Sequence, residues 1–427
     1  MRSKRCAGTR HKPVSGLVVL VVVALCAAGL PANAAELTLA EVVSRALAVA
    51  PRVALASANS DISSAQVGEA LAPLLPSVSA GSEYYQAPGY NQIITNGGLS
   101  SLQLVASYTA YDFGQRLNRW RAARYWQQAS TLGVRAARQQ IIFDATLAYY
   151  DLLRRRAQEK EIVASLRRLE GYLLIIEALR RSGRAIPNDV LRIRGQRDRA
   201  ELALVHAQQE SQRASVVLGS LIGLYGQTEL NVASVATLPP APKGKLARNP
   251  EYQAAERRLK AAQANVRAAK AERYPTLTVA LTAGYLGVNP PSTFQRYYGA
   301  SYDGLVTVPI FEGGLIRSRI DEARARRQAV SAEIKEIERV LARRVADARL
   351  RYERARQQLA VIERAEPTAY DAFALDWTRF LGGGRVTLLE VLTDYQEVER
   401  LRLERFDVQF GVRQAAAEGE LLLGLNG

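Results

Sequence analysis

The apolar positions of this chain change their spacing several times. Leu102, Leu104, Ala106, Tyr108 and Ala110 alternate with Ser101, Gln103, Ser107 and Thr109. That period of two predicts a strand over about 100–111 with one apolar and one polar face, paired with another at about 77–87. The pattern returns where Leu277, Val279, Leu281, Ala283 and Tyr285 alternate with Thr276, Thr278, Ala280 and Thr282, predicting a strand over about 276–286. Its partner, about 298–310, sets Ala300, Tyr302, Val306 and Val308 against Ser301, Asp303 and Thr307. Stretches rich in Gly, Asn and Pro, 88–98 and 287–295, read as the loops that join each pair.

Between these pairs the period is helical. Ile162, Leu166, Leu169, Leu173 and Ile176 step by 4, 3, 4 and 3, the seam of a coiled coil. Val330, Ile334, Ile337, Leu341, Val345, Ala348 and Tyr352 do the same, with two successive steps of four that relax left-handed supercoiling. Long helices are expected over about 115–181 and 315–378; at roughly 65 residues each would approach ~100 Å. Shorter amphipathic helices are expected at 39–74, 188–223, 251–273 and 387–425.

The order of elements occurs twice. Ala50-Pro51 answers Asn249-Pro250, and Leu75-Pro76-Ser77-Val78 answers Tyr274-Pro275-Thr276-Leu277, at an offset of 199. Asp112-Phe113-Gly114 answers Glu312-Gly313-Gly314 at 200; Gly183 answers Gly384, and Leu221-Ile222-Gly223 answers Leu422-Leu423-Gly424, at 201. A tandem duplication is the reading, with repeats over 35–225 and 249–427. The linker between them, 226–248, carries Pro239, Pro240 and Pro242, which discourage regular structure.

With 427 residues, 48% hydrophobic and 23% charged, the chain can bury a core and is neither disordered nor fibrous. Arg2, Lys4, Arg5, Arg10 and Lys12 precede the apolar run Leu17 to Leu30 and then Ala32-Asn33-Ala34, so residues 1–34 read as a secretory signal. Cys6 and Cys26 would leave with it; Leu25 before Cys26 is not the small residue that a lipidation site wants. The signal holds five of the 57 basic residues and none of the 41 acidic ones, leaving the mature chain at +11. No later segment is apolar for the roughly 18 residues that a membrane helix needs. A membrane crossing would therefore use the strands. A membrane barrel must close on itself, and four strands fall short of the about eight that close the smallest, so copies of the chain are required. Tyr84, Tyr85, Tyr90, Tyr108, Tyr111, Tyr285, Tyr297, Tyr298 and Tyr302, near the strand ends, would suit an interfacial girdle.

Candidate chemistry is sparse. The mature chain has one histidine, His206, alone on a polar helix, and no cysteine, so no catalytic residues, metal or cofactor are expected. Gly382-Gly383-Gly384-Arg385 lacks the Lys-Ser or Lys-Thr of a phosphate loop and reads as a turn between helices. The basic residues lie among acidic ones, as in Arg343-Arg344 near Asp347, which argues for a solvated coiled-coil face and against nucleic acid.

The duplication, the Leu-Pro-Ser and Tyr-Pro-Thr strand starts, the Tyr-Asp-Phe-Gly-Gln-Arg and Phe-Glu-Gly-Gly-Leu-Ile-Arg strand-to-helix turns, and Gly-Gly-Arg-Val-Thr-Leu-Leu-Glu-Val-Leu together resemble a TolC-type outer-membrane efflux protein. The resemblance implies a mainly α chain with membrane β-strands. Its homotrimer would form a 12-stranded β-barrel continued by a 12-helix α-barrel, a coiled-coil tunnel, three copies of four strands each. It further implies a passive duct in the outer membrane, extending into the periplasm, that meets a periplasmic adaptor and an inner-membrane pump of an efflux or type I secretion system. The tips of the helix pairs would touch the adaptor, at Ser182, Gly183, Gly383 and Gly384, and close the tunnel. The family's tip carboxylate falls on Glu390, and its partner on the other hairpin on Asp189, with Asn188 adjacent. Arg385 lies one place from the family's linking arginine, Phe380 or Leu381 replaces its linking tyrosine, and Thr393 replaces a second carboxylate, with Asp394 beside it. The residues alone leave open whether Asp189 and Glu390 are gate groups or ordinary caps in the first turns of helices. A periplasmic coiled-coil scaffold or adaptor without a barrel is the alternative function.

Overall fold

A computed structural model of the chain describes residues 36–86, 98–235, 237–288 and 295–425. The expected leader 1–34 with both cysteines, and Tyr90 in the first hairpin loop, lie outside the described residues.

The elements run α1 (Leu39–Val49), α2 (Pro51–Leu71), β1 (Ser77–Gln86), β2 (Gly98–Tyr111), α3 (Gln115–Arg181) and α4 (Pro187–Leu221). The second half follows with α5 (Pro250–Ala271), β3 (Thr276–Val288), β4 (Gln295–Thr307), α6 (Leu315–Leu381) and α7 (Leu388–Leu423). The four strands form one antiparallel sheet in chain order, β1-β2-β3-β4, so β1 and β4 are its edges. The register aligns the expected apolar positions across the sheet: Ala80 with Leu104, Leu104 with Ala283, and Ala283 with Ala300. Paired residues of an antiparallel ladder share a face. One face therefore carries Val78, Leu102, Leu104, Val279, Leu281 and Tyr302, all exposed, and the other carries Ser79, Ser101, Gln103, Thr282 and Ser301. Gly284 sits opposite Gln103, where a Cβ would stand 2.2 Å from the Leu102 carbonyl oxygen. β4 stops at Thr307, short of the expected 310, because its partner β3 begins at Thr276 opposite Thr307 and the ladder runs out there. Val308, Ile310 and Phe311 continue beyond it, exposed.

Each long helix has 67 residues and two short partners in succession. Near the strands α3 is flanked by α2, through Ser64 and Gln127, and by α5, whose C-cap Glu272 pairs with Arg119. Farther out it is flanked by α4, through Glu177 and Arg194, and by α7, through Ser165 and Tyr395. The expected helix over 39–74 is two helices broken at Ala50-Pro51: Pro51 opens α2 and holds Ala50 extended. In α6 a proline has the opposite outcome. Pro367 lies inside the helix, which continues because Ile362 and Phe373 on either side are buried and Glu366 is ion-paired to α7.

The interrepeat linker packs across the middle of both rods. Leu37 bridges in parallel to Val232, and the hydroxyls of Tyr149 in α3 and Tyr352 in α6 donate to the carbonyls of Ala233 and Pro239. Pro242 lies where a Cβ on Gly419 of α7 would stand, 2.2 Å from its Cγ. The prolines thus exclude regular structure while letting the segment lie flat on the helices.

Because the Gly284 clash is with backbone, Gly284→Val cannot be relieved by a rotamer change. We expect a loss of about 1–3 kcal/mol from overpacking, read as a lowered thermal midpoint by circular dichroism in detergent, while Gly299→Val, whose Cβ meets nothing within 4 Å, has little effect.

Candidate functional site

The ends of the two helix pairs farthest from the strands are built alike. Gly183 (φ 75°) and Gly383 (φ 80°) take the left-handed conformation after α3 and α6. At each end the next amide reaches back to the last helical turn, Arg184 N to Leu179 O and Gly384 N to Arg379 O, both 2.8 Å. These are Schellman caps, in which glycine avoids the Cβ clash of positive φ. The structural counterpart of Gly183 is therefore Gly383, at an offset of 200, and not Gly384 as the sequence alignment had it. The helices resume at Pro187 and Leu388, at 201, so the second turn holds one extra residue. Ser182 completes the first turn, its hydroxyl donating to the Leu179 carbonyl at 2.9 Å.

Both proposed gate carboxylates occupy the third position of the following helix. The Ile186 amide donates to the Asp189 carboxylate at 3.2 Å. Glu390 receives the Thr387 amide at 2.7 Å and its hydroxyl at 3.0 Å, and its own amide returns to the Thr387 hydroxyl, a full capping box. Donation from the Thr387 backbone, then from its hydroxyl, holds the Glu390 carboxyl below the ordinary 4.5. Asp394, one turn on and half-buried, is shifted the other way: burial, then the neighbouring Asp376 carboxylate, pushes it above the ordinary 3.8. Arg379 reaches Asp376 at 3.3 Å. Asn188 and Arg385 are exposed, and Arg385 makes no hydrogen bond or ion pair within the chain among the described residues. Arg184, which the sequence did not single out, joins the two turns by donating to the Leu381 carbonyl.

Behind the turns an apolar plug fixes the two hairpins to each other. Leu169, Ile176, Val190 and Ile193 from the first half pack with Phe373, Leu388, Val391 and Tyr395 from the second. Tyr172 meets Trp377 at 4.6 Å and Tyr395 edge-on at 5.8 Å. Next comes a layer of ion pairs. Arg168 in α3 binds Glu161 (2.7 Å) and Glu399 (2.9 Å), while Arg402 binds Glu366 (3.2 Å) and Glu161 (3.4 Å) and Arg405 binds Glu366 (2.7 Å). The side chains are one third exposed or less, which spares them part of the solvent screening that weakens surface pairs. This layer escaped the sequence reading because its members come from α3, α6 and α7, and each looks like one charge on a solvated face. His206 is exposed, apart from both layers.

Comparison with known proteins places this architecture. Residues 42–224 and again 241–424 match the family described as outer membrane efflux protein. The chain is 27% identical over 251 residues to the toluene efflux pump outer membrane protein TtgF of Pseudomonas putida, covering 57% of this chain and 52% of that one. It is 26% identical over 304 residues to the outer membrane protein OprJ of Pseudomonas aeruginosa, 66% of this chain and 62% of that one. The chain thus spans about half the length of the first of these relatives and somewhat more of the second. A crystal structure of CusC superposes with a TM-score of 0.81 over 91% of this chain and 92% of that one, at 19% identity, a likeness of fold.

The two shifted carboxyls have opposite pH signatures. The Glu390 cap stabilises α7 fully above its ordinary 4.5 and loses that effect as pH falls through the lower folded value. Asp394 costs stability once pH rises from its ordinary 3.8 through the raised folded value. Hydrogen exchange at the amides of 388–394 should show an acid-induced loss of protection that Glu390→Gln removes, leaving only the opposite trend from Asp394, whereas Asp394→Asn should slow opening at neutral pH. Unchanged exchange in both variants would contradict the assignment. Thr387→Ala, which removes the other half of the box, is expected to cost about 1 kcal/mol.

Proposed function

The chain belongs to the outer membrane efflux protein family, and from that premise we propose that it is the exit duct of a tripartite efflux or type I secretion system. It would conduct substrate passively from an inner-membrane pump across periplasm and outer membrane. The observation that carries this reading is the sheet: four strands, apolar on one face and polar on the other, with two open edges and with 67-residue helices continuing from it. In lipid those edges must be paired, and β4 of one copy against β1 of the next satisfies both if three copies close a ring. The apolar face then meets lipid and the polar face lines a water-filled lumen. A periplasmic scaffold without a barrel leaves this sheet without a purpose.

The hairpin tips are proposed as the closed end of the tunnel and the place where an adaptor docks. Gly183 and Gly383, where an added Cβ would meet nothing within 4 Å, support the docking role of the tips, with Ser182 and Gly384 beside them. Asp189, Asn188, Arg385, Glu390 and Asp394 are proposed as gate groups: a symmetric assembly brings three copies of each together, and like charges so arranged need water or cations to screen them. Arg385, with no hydrogen bond or ion pair among the described residues, would be able to pair with a neighbouring subunit. Opening would move the α6–α7 hairpin away from α3, and the Arg168–Glu399 and Arg402–Glu161 pairs span that boundary. Residues 35–225 and 249–427 are proposed as the two repeats of the mature duct, after removal of a leader.

Outer-membrane fractions should contain a heat-sensitive oligomer of three chains; a monomer in the soluble periplasm would overturn the reading. In reconstituted channels Glu390→Gln should lower cation selectivity and Asp189→Asn should raise conductance. If both recordings match the wild type, the two carboxylates are helix caps alone. Bulky substitution at Gly183 or Gly383 should abolish export while leaving the trimer intact.

A further inference from the structure

We propose that a cavity between α6 and α7, behind the tips, is the seat of α4 from a second copy of this chain, with Arg194 of that copy directed at Asp394. The inference rests on the ring of copies proposed above and names the contact that joins them at this level. The cavity, of about 580 Å³, is lined by Val361, Ala365, Thr368 and Ala372 of α6 and by Asp394 and Glu397 of α7.

The duplication supplies the fit. α3 and α6 correspond at an offset of 200, and the starts of α4 and α7 at 201. Within the chain α7 seats on α3 through Tyr395 to Ser165 at 2.8 Å, Glu399 to Arg168 at 2.9 Å and Arg402 to Glu161 at 3.4 Å, and Tyr395 meets Tyr172 edge-on. Moved forward by one repeat, Glu161, Ser165, Arg168 and Tyr172 become Val361, Ala365, Thr368 and Ala372. These are the four α6 residues that line the cavity. The cavity is thus the second-half counterpart of the pocket that Tyr395 fills in the first half, and the counterpart of Tyr395 itself is Arg194. Arg194 of the same chain stands against α3, paired with Glu177 at 2.7 Å, so the occupant comes from another copy.

The two pockets differ in chemistry as their occupants do. Where the first has Ile193 and Ile176, both buried in the apolar plug, the second has Asp394 and Asp376, and Ala369 and Ala372 stand for Leu169 and Tyr172. Small side chains leave room and the carboxylates supply acceptors, which suits a guanidinium where a phenol sits in the first half. Within one chain Asp394 carries the cost of burial beside Asp376, and an arriving cation offsets it. The other charges at the cavity are already engaged: Glu397 pairs with Arg400 at 2.6 Å, and Arg364 donates to the Ala360 carbonyl. The surface of α4 agrees. Leu191 is 65% exposed, whereas its counterpart Leu392 is 7% exposed within the plug. A face covered on α7 and bare on α4 is what a missing neighbour leaves.

Both cysteines lie in the expected leader, so introduced thiols report alone in the exported chain. Thr368→Cys and Asp198→Cys, the counterparts of Arg168 and Glu399, are combined and treated in outer-membrane fractions with a short bis-methanethiosulfonate linker. Denaturing, non-reducing gels should show chains joined into multiples. Thr368→Cys with Glu210→Cys, 12 residues or about 18 Å farther along α4, should remain single chains. Separately, Arg194→Glu should lower the temperature at which the native oligomer dissociates, and adding Asp394→Arg should restore it. An oligomer whose first thiol pair leaves only single chains, or an Arg194→Glu oligomer as heat-stable as the wild type, overturns this contact while the duct reading stands. A wild-type chain that forms no oligomer overturns both.

Discussion

Every peptide group of a strand that meets lipid has to find its hydrogen-bond partner in another strand, and this chain supplies four strands with two edges left over. The rest of the architecture follows from that shortage. A sheet that must be completed by other copies can be short in each copy. Each β2–α3 and β4–α6 junction passes the strand direction into a helix, so a ring closed by strand pairing between copies, as proposed, would be inherited by the helices beneath it. The long helices continue past the ends of α2 and α5, and α4 and α7 take over as their partners. One rod thereby spans both layers, and the sheet and the hairpin tips belong to one packed body.

The duplication explains the layout but the halves have diverged where they leave the membrane layer. Both strand-to-helix turns use two successive left-handed residues, Gly313 and Gly314 in the second half and Phe113 and Gly114 in the first. A phenylalanine at φ 52° is strained. Its ring is held between Tyr111 and Tyr274, each 4.7 Å away. The first turn is also fastened by Asp112, which accepts the Gly114 and Arg116 amides and pairs with the Arg116 guanidinium at 2.7 Å. Glu312 takes the corresponding place in the second turn without such an arginine one turn on. The first half is thus the more firmly anchored at this level. The apolar plug and ion-pair layer then tie the second half's hairpin to the first half's rod near the tips.

At the tips, local helix chemistry and any collective role are carried by the same atoms. Glu390 satisfies two donors of Thr387, and Asp189 satisfies the Ile186 amide, whether or not another subunit stands nearby. A cap also fixes where its charge points. The carboxylates are therefore held in defined positions at the start of α4 and α7, which is what a symmetric ring of charges needs from each member. Asp394 and Asp376 differ: they are carboxyls placed against each other, and burial makes their proximity costly.

The periods were legible in the residues alone, and with them the element types, the two long helices, the two strand pairs, their apolar and polar faces and the duplication. These are local or nearest-neighbour properties: alternation commits a segment to a half-buried strand, and heptad spacing commits one to a coiled coil, whatever lies elsewhere. Whatever depends on residues far apart in the chain was settled by packing. It continued α6 through Pro367, because packing on both sides outweighs one missing donor, and it laid the proline-rich linker against Tyr149 and Tyr352. It moved the counterpart of Gly183 from Gly384 to Gly383, since a left-handed φ is set by the cap and not by alignment of like residues. The Arg168–Glu399–Arg402 layer comes from helices that are remote in the chain. A charge or an amide on a helix carries no mark of its partner until packing brings the two together.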